Sequence, residues 1–515
     1  MKKSLPLYLI LFLALTLRLI SLNQSFWLDE TAQAVVSTHR LSQVNWGTDF
    51  QPPLFYTISH YWMKFGITSE WFLRIPSVIF AVLTIYLAYT FFKQLFDKKT
   101  GLLTAFLLTT SPFHIYFSQE FRMYSLLTFL TLLAWMMLYK KKWKIFTIIT
   151  TIAIFTHYFA FVNLVSQVLY VILFDRKSVQ KNFIHLGLAV SPFIIWLPIF
   201  MQQLETAQRL VSIWPRWKEV SSIAFLKFPG VTLAKFTVGM ISPDNRFFYA
   251  GVVGLTGLIF LFSLIRLFEF KKVKNGNIIK KIRNTLYLIP NTENRKIFFL
   301  LSYFFFPLAL TWIGGLWIAA STPWRIQFVL PAFYGILVVG LLSNKTGPAM
   351  ASFPAGARLP WPAALRREAL PAMPPILLIT ALSLNILFSF SYLLNPNYHR
   401  ENWRDAVFYT DQKVRSGAIV LSEFNTPFVP MVWYSKEIDH YFGASTSQNI
   451  TQMSVEERLN PLIKTSNHII LYTYLFEISD PERHVEKFLE TKKFKIISEK
   501  DFRGVGIIKE MSIEK

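Results

Sequence analysis

The chain has 515 residues, of which 53% are hydrophobic and only 16% are charged, and 50 of them are phenylalanine. Soluble domains carry about 25% charged residues, so this composition indicates an integral membrane protein and argues against a soluble globular one. The absence of cysteine excludes disulfides, thiolate metal sites and cysteine nucleophiles. The formal charge of +23 would suggest a nucleic-acid partner in a soluble chain, but basic cytoplasmic loops explain it here, and we expect no nucleic-acid binding.

Apolar segments follow one another along the chain, and most approach the roughly 20 residues that a membrane-spanning helix needs. We predict eleven of them, at residues 5–22, 72–92, 101–117, 121–139, 144–157, 158–174, 183–201, 249–268, 297–318, 326–342 and 374–394. The break between the fifth and sixth segments falls at the residues THYF. The predicted fold class is therefore mainly α, a polytopic membrane bundle of about eleven transmembrane helices.

Basic residues fall in every second loop between these segments. The basic stretches are residues 2–3, 97–99, 140–144, 175–181, 271–283 and 366–368. Because positively charged loops are retained in the cytoplasm, the alternation predicts a cytoplasmic N-terminus, and an odd number of spans places the C-terminus outside. The first span lacks a small-residue cleavage site, so we predict that it is retained as an anchor.

The pattern changes after the last span. Residues 395–515 alternate helical patterns such as NWRDAVFYTDQKVR with short strand-like runs such as HIILYTYL. We predict a transmembrane domain at residues 1–394 and a small extracytoplasmic α/β domain at residues 395–515. Before the last span, residues 347–375 are rich in Ala, Pro and Arg, and the prolines predict a cytoplasmic loop without a helix.

With this topology, polar and ionisable side chains gather at the outer ends of the spans. They are Asp29, Glu30, Asp49, Gln51, Glu120, Arg122, Tyr124, His157 and Arg325. Channels and pumps more often place ionisable groups at the mid-depth of their helices. A layer at one interface favours chemistry on a substrate held at the membrane surface.

The acids Asp29 and Glu30 follow the first span in the stretch SFWLDETAQAVVS. Neighbours on a helix point about 100° apart, so the two side chains rarely face one ligand. Two interpretations stay open. In one, Asp29 caps a short helix and Glu30 stabilises its first turn. In the other, Asp29 is a general base that accepts the proton of an acceptor hydroxyl.

The stretch DFQPPLFYTISHYWMKFG occupies residues 49–66. Its double proline followed by an aromatic amphipathic run predicts a helix that begins at the prolines and lies in the membrane interface. Gln51, directly before the prolines, is a candidate ligand contact. Asp49 is a candidate for the acceptor or a metal ion.

Three arginines lie near the outer starts of predicted helices: Arg74 in EWFLRIPS, Arg122 in FSQEFRMYSLL and Arg325 in STPWRIQFVLP. A cation there opposes the helix dipole, and snorkelling explains any one of them alone. Three on one face favour an anion between them, and a lipid phosphate fits because guanidinium matches phosphate geometry. In the second motif, Ser118 is predicted to cap the fourth span, with Glu120 in its first turn.

His157 and Tyr158 lie at a predicted outer turn. A buried, hydrogen-bonded histidine and an interfacial tyrosine are the ordinary interpretation of such a pair. The alternative is that they position an acceptor or bind a metal ion.

The motifs LRLISLNQSFWLDETA, QPPLFY, SEWFLRIPSVIF, FSQEFRMYSLL, THYFAF and PWRIQFVLPA occur in this order. Their order and spacing resemble bacterial glycosyltransferase family 39, which contains protein O-mannosyltransferases and the lipid A aminoarabinose transferase. The resemblance covers about residues 5–345. It implies a GT-C fold and the inverting transfer of a sugar from a polyprenyl-phosphate carrier to an acceptor on the outer side.

The resemblance also implies residue roles. Asp29 matches the catalytic base, Glu30 a second acid, and Arg122 and Glu120 the motif of the fourth span. Gln51 stands where the aminoarabinose transferase has a lysine that helps to hold the donor phosphate, which removes a positive charge. Some relatives bind a divalent metal near the aspartate and others need none, so a metal near Asp29 stays open.

Together these patterns predict a glycosyltransferase of the cytoplasmic membrane. The candidate donor-binding residues are Gln51, Arg74, Glu120, Arg122, Tyr124 and Arg325. Of these, Arg122 and Arg325 would stabilise the departing lipid phosphate. The predicted partners are a polyprenyl-phosphate sugar, a lipid, glycan or protein acceptor, and membrane lipids. The alternative is a transporter or flippase of lipid-linked sugars, which predicts an inverted repeat and mid-depth ionisable pairs that we do not find in the sequence.

Overall fold

A computed structural model describes residues 5–243, 245–267, 292–318, 321–343 and 361–513. Helices occupy most of the chain up to residue 394. They are α1 (Leu5–Leu19), α2 (Leu28–Thr38), α3 (Leu54–Met63), α4 (Glu70–Leu95), α5 (Lys98–Thr109), α6 (Pro112–Ser118), α7 (Tyr124–Tyr139), α8 (Trp143–Thr156), α9 (Ala160–Phe174), α10 (Val179–Val190), α11 (Phe193–Ile213), α12 (Trp217–Ser221), α13 (Phe228–Val238), α14 (Arg246–Leu267), α15 (Thr292–Gly314), α16 (Leu330–Leu342) and α17 (Trp361–Leu394).

Every predicted apolar segment overlaps a helix, and α8 and α9 are separated at the residues THYF. Among the described residues, five helices are long and apolar enough to cross a membrane: Glu70–Leu95, Arg246–Leu267, Arg295–Gly314, Pro323–Leu342 and Met373–Leu394. A pair bent by 61°, Arg176–Val190 and Phe193–Ile213, is a sixth candidate, and four further apolar helices are shorter. A mainly α, multi-pass architecture is confirmed, while the number eleven stays a prediction.

The chain divides into two compact units. The first, called the helical unit, comprises Met1–Ile20, Pro76–Ile195 and Ser222–Asn395. The second, called the mixed unit, comprises Ser21–Ile75, Trp196–Ser221 and Pro396–Lys515. The sequence predicted a division near residue 394, but it did not predict that residues 21–75 and 196–221 group with the C-terminal residues.

The helical unit has a tightly packed aromatic core. Trp135 is fully buried on α7 and donates its indole N–H to Asn163 Oδ1 on α9 at 2.7 Å. Gly340 on α16 faces α14 so closely that a Cβ would lie 2.3 Å from the carbonyl oxygen of Ser263. Small residues at such a crossing let two membrane helices approach to backbone contact.

The prediction that residues 347–375 contain no helix is wrong in part. Helix α17 begins at Trp361 and continues through this proline-rich stretch, whereas residues 344–360 lie outside the described residues, as does the basic tract at 271–283. Pro362 falls in the first turn, where the missing N–H costs little, and membrane helices tolerate interior prolines better than soluble helices do.

Residues after Asn395 form a small α/β fold, as predicted from the pattern. Its helices and strands are α18 (Trp403–Arg415), β1 (Ile419–Ser422), α19 (Val429–Tyr434), β2 (Tyr441–Gly443), α20 (Gln452–Leu462), β3 (His468–Tyr472), α21 (Phe476–Ser479), α22 (His484–Thr491), β4 (Phe494–Phe502) and β5 (Gly506–Ile513).

These strands form one sheet in the order β2-β1-β3-β5-β4. β1 is parallel to both β2 and β3, while β5 is antiparallel to β3 and β4. The central strands IVLS and HIILY are apolar and largely buried because both faces of the sheet carry a core. The edge strand β4 is buried only at its two ends, Phe494 and Phe502, and is exposed at every residue between them.

Candidate active site

The two acids of the first loop lie side by side in the first turn of α2. The N-cap residue is Trp27, whose backbone is extended (φ −92°, ψ 176°) and whose side chain caps nothing. The interpretation of Asp29 as the cap is therefore wrong, because the helix begins one residue before it. Asp29 is half-buried, whereas Glu30 is completely buried, so the adjacent acids occupy different environments.

Glu30 forms a buried, two-pronged ion pair with Arg74. Arg74 Nε lies 2.8 Å from Glu30 Oε1, and Nη2 lies 2.6 Å from Oε2. The remaining N–H groups of Arg74 donate to the carbonyl oxygens of Leu22, Gln24 and Ser25. The five donors of this guanidinium are thus all engaged, and Arg74 fixes the loop that leads into α2.

This geometry gives Arg74 a structural task that the sequence did not predict. Its side chain is fully buried, and the ring of Phe26 lies 4.9 Å from its guanidinium carbon. Arg400 Nε approaches Glu30 Oε2 to 3.9 Å and adds a second cation. Arg74 and Glu30 therefore hold the loop that precedes α2, and we assign neither of them a contact with substrate.

The Glu30–Arg74 pair yields a stability prediction. Glu30→Gln is expected to lower the free energy of unfolding by about 3 kcal/mol, because it leaves a buried guanidinium without its counter-charge. Thermal unfolding of the purified protein in detergent measures the effect. Arg74→Lys should also destabilise, since lysine cannot form the fork. Unchanged unfolding with complete loss of transfer in Glu30→Gln would instead return Glu30 to the catalytic role.

Glu401, a residue that sequence reasoning missed, lies beside the start of α2. Its Oε2 accepts the backbone N–H of Leu28 at 3.3 Å and the indole N–H of Trp403 at 2.6 Å, and its Oε1 accepts the hydroxyl of Tyr474 at 3.0 Å. Burial raises the pKa of Glu401 to about 7, the three hydrogen bonds oppose the shift, and the charge of nearby Asp29 adds to it.

The predicted helix at the double proline is confirmed, since α3 begins at Leu54 with Pro53 as its N-cap. Just before it, the half-buried Gln51 contributes its backbone carbonyl to a hydrogen bond from Gln203 Nε2 at 3.2 Å. Asp49 is also half-buried, and its carboxylate accepts the N–H of the next residue. The ligand-binding roles of Asp49 and Gln51 stay predictions.

In the helical unit, Arg122 lies in the segment between α6 and α7. Ser118 is the last residue of α6, and the cap position of α7 is Met123, so the predicted capping by Ser118 is wrong. The physical reason is that the chain does not run as one helix here. The short helix α6 begins at Pro112 and ends at Ser118, and the turn at residues 119–123 separates it from α7. Glu120 and Arg122 are both buried in this turn.

Arg122 and Arg325 both lie near enough to His157 for their charges to act on it. His157 occupies the turn between α8 and α9, and Arg325 is half-buried in the 3₁₀ segment Pro323–Val329. Burial, with the positive charges of Arg325 and Arg122, lowers the pKa of His157 to about 3. The imidazole is therefore neutral at physiological pH, and the positive charge of this group, called the cationic cluster, comes from the two arginines.

The two tyrosines that the sequence singled out have different aromatic neighbours. The ring of Tyr124, at the start of α7, lies 5.9 Å from that of His157. Tyr158 turns to another neighbour, with its ring 6.1 Å from that of Phe193. His157 Nδ1 accepts the backbone N–H of Phe159 at 3.0 Å, which fixes the ring. Tyr124 thus lies beside His157, whereas Tyr158 contacts Phe193, and the donor-binding role of Tyr124 stays a prediction.

Metal ligation was left open by the sequence. Within the described ranges, no group of three or more His, Asp or Glu side chains is arranged to hold a metal ion. Glu401, which is close enough to Asp29 for the two charges to interact, accepts three hydrogen bonds, and Glu30 is paired with Arg74. A metal ion near Asp29 stays a prediction.

Comparisons with known proteins point to one fold. Residues 50–201 match the family model described as dolichyl-phosphate-mannose-protein mannosyltransferase. The structure of ArnT from Cupriavidus metallidurans in the apo state aligns with a TM-score of 0.55 at 12% identity, over 99% of this chain and 98% of that one. The same protein bound to undecaprenyl phosphate aligns with a TM-score of 0.53 at 12% identity, over 99% of both chains.

A second solved protein shares this fold. The apo oligosaccharyltransferase from Archaeoglobus fulgidus aligns with a TM-score of 0.52 at 13% identity, over 92% of this chain and 70% of that one. Comparison with the sequences of curated proteins gave no match. At these identities the solved structures establish the fold alone, and the predicted fold class is confirmed.

Proposed function

We propose that this chain, which has the fold of the GT-C glycosyltransferases, transfers a sugar from a polyprenyl-phosphate donor to an acceptor, with inversion at the anomeric carbon. The reaction would take place on the outer face of the cytoplasmic membrane. The observation that supports the proposal is the cationic cluster, in which the charges of Arg122 and Arg325 both act on the buried His157.

The cationic cluster suits a phosphate that gains charge. When the bond between the sugar and the lipid phosphate breaks, negative charge develops on the phosphate oxygens. Arg122 is buried and Arg325 is half-buried. Guanidinium groups that are partly withdrawn from water and already in place stabilise that charge more than water does, and they need little reorganisation during the step. ArnT from Cupriavidus metallidurans, which shares this fold, has been crystallised with undecaprenyl phosphate, a molecule of the leaving-group class proposed here.

Asp29 is the proposed general base. Glu30 is fully buried and paired with Arg74, whereas Asp29 is half-buried, so Asp29 is the acid of the pair that an acceptor can reach. Its carboxylate would take the proton of the attacking hydroxyl while the anomeric carbon is attacked from the face opposite the phosphate, which inverts the configuration. A phosphate acceptor needs no such base, and Asp29 would then only orient it.

A transfer assay tests the proposal. Membranes or purified protein are incubated with a panel of radiolabelled polyprenyl-phosphate sugars, and the products are identified by mass. We expect one donor to be consumed, with release of the polyprenyl phosphate and a product heavier by one sugar residue. Transbilayer movement of intact labelled donor without bond cleavage would support the flippase alternative and contradict the proposal.

A further inference from the structure

The start of α2 is held by residues that follow the last membrane helix. The backbone N–H of Leu28 donates to Glu401 Oε2, and the side chain of Leu28 packs against the core of the C-terminal α/β fold. α2 has no side-chain cap from its own N-terminal flank, so Glu401 supplies an acceptor to a helix 373 residues away in sequence. A carboxylate at this position also interacts favourably with the positive end of the helix dipole.

Glu401 is itself held in place on several sides. Trp403, which is fully buried, donates its indole N–H to Oε2, and its ring packs at 4.8 Å from that of Tyr474, the donor to Oε1. From the turn between β4 and β5, Gly504 comes so close that a Cβ would lie 2.8 Å from Glu401 Cγ. The carboxylate therefore has a single position relative to the C-terminal core.

We propose that Glu401 is a positioning residue that fixes the first turn of α2, and with it the Asp29 carboxylate, to the C-terminal α/β fold. The inference rests on the proposed function, in which Asp29 is the base. A general base must lie within hydrogen-bond reach of the proton that it accepts, and an error of about 1 Å in its placement lowers the rate about 100-fold. The C-terminal residues thereby acquire a task in the transfer reaction.

The charge of Glu401 adds a pH-dependent component. Its pKa of about 7 means that Glu401 is neutral below this pH and negatively charged above it. The groups that face it are the Asp29 carboxylate, the Tyr474 hydroxyl, the Trp403 indole and the N–H of Leu28. A negative charge on Glu401 stabilises the proton that the base receives in the transition state, so transfer is expected to rise as the pH increases through about 7.

The test compares Glu401→Ala and Glu401→Gln with Asp480→Asn as the matched control. Asp480 is a fully buried carboxylate of the same fold, and it accepts the N–H groups of His484 and Val485 at the start of α22. We expect Glu401→Ala to lower kcat about 10-fold to 100-fold with an unchanged KM for the donor. Glu401→Gln, which keeps acceptor oxygen but no charge, should retain more activity and lose the rise near pH 7.

Hydrogen exchange gives a measurement that does not depend on activity. The amides at the start of α2 should exchange faster in Glu401→Ala than in the wild-type protein, whereas Asp480→Asn should leave them unchanged and keep the pH profile. Wild-type exchange at α2 in Glu401→Ala would overturn the inference even if no donor were found. Wild-type kcat in Glu401→Ala, together with inactive Asp29→Asn, would overturn it while leaving the proposed function intact.

Discussion

Asp29→Asn is expected to lower the rate of sugar transfer about 10²-fold to 10⁴-fold, the range that general-base catalysis contributes. Asparagine has the size of aspartate and is tolerated in a first helical turn. Its amide, however, cannot take up the proton of the attacking hydroxyl. Because Asp29 is half-buried and the neighbouring Glu30 holds the ion pair, the variant should fold. Single-turnover transfer with saturating labelled donor measures the chemical step, and thermal unfolding verifies the fold.

The control for this prediction is Asp439→Asn, which removes an exposed carboxylate from the C-terminal fold. It should transfer sugar at the wild-type rate. If Asp29→Asn also transferred at that rate to a hydroxyl acceptor, Asp29 would not be the base. Residual activity restricted to phosphate acceptors would agree with the proposed role, because such acceptors arrive already ionised.

The double variant Arg122→Ala/Arg325→Ala is expected to weaken binding of the polyprenyl-phosphate donor about 10³-fold. Each hydrogen bond between charged partners contributes about 1.5–3 kcal/mol. Both arginines act on the charge of the same histidine, so we expect both to act on one phosphate. Each single variant should lose about 10-fold to 100-fold. Binding of a fluorescent polyprenyl phosphate in detergent measures the affinity, and kcat should fall as well because the leaving group loses its counter-charges.

A variant with the same change in net charge separates local from general electrostatics. Arg40→Ala/Arg209→Ala removes two exposed arginines, and it should bind the donor as the wild type does. Equal losses in both double variants would show a long-range attraction of the anionic lipid. Unchanged binding in Arg122→Ala/Arg325→Ala would show that the cationic cluster does not hold the donor phosphate.

The membrane helices were predictable because their cause is local. An apolar run must satisfy its backbone hydrogen bonds within itself, so hydropathy alone located a helix at every predicted span. The α/β pattern after residue 395 could also be predicted from the sequence, since apolar runs such as HIILY form buried central strands. The helix over residues 361–375 was missed because proline rules from soluble proteins apply less strictly to helices of this kind.

The site was predictable only as a set of residues. The sequence singled out the pair Asp29–Glu30 and the arginines at 74, 122 and 325, but it treated the arginines alike. In the structure, Arg74 pairs with Glu30 and donates to three carbonyl oxygens, while the charges of Arg122 and Arg325 act on His157. No local pattern distinguishes these arginines, because each follows an aromatic or apolar residue near the start of a helix.

By itself, the sequence of this protein determined its membrane-embedded helical class, its small C-terminal sheet and the residue types available for phosphate chemistry. All of these follow from composition and short-range periodicity. Only the tertiary structure decided that Glu30 is neutralised by Arg74 and that Glu401 reaches the first turn of α2. Such pairings join residues 44 and 373 positions apart, and they depend on burial and on the direction of each side chain, which no stretch of sequence specifies alone.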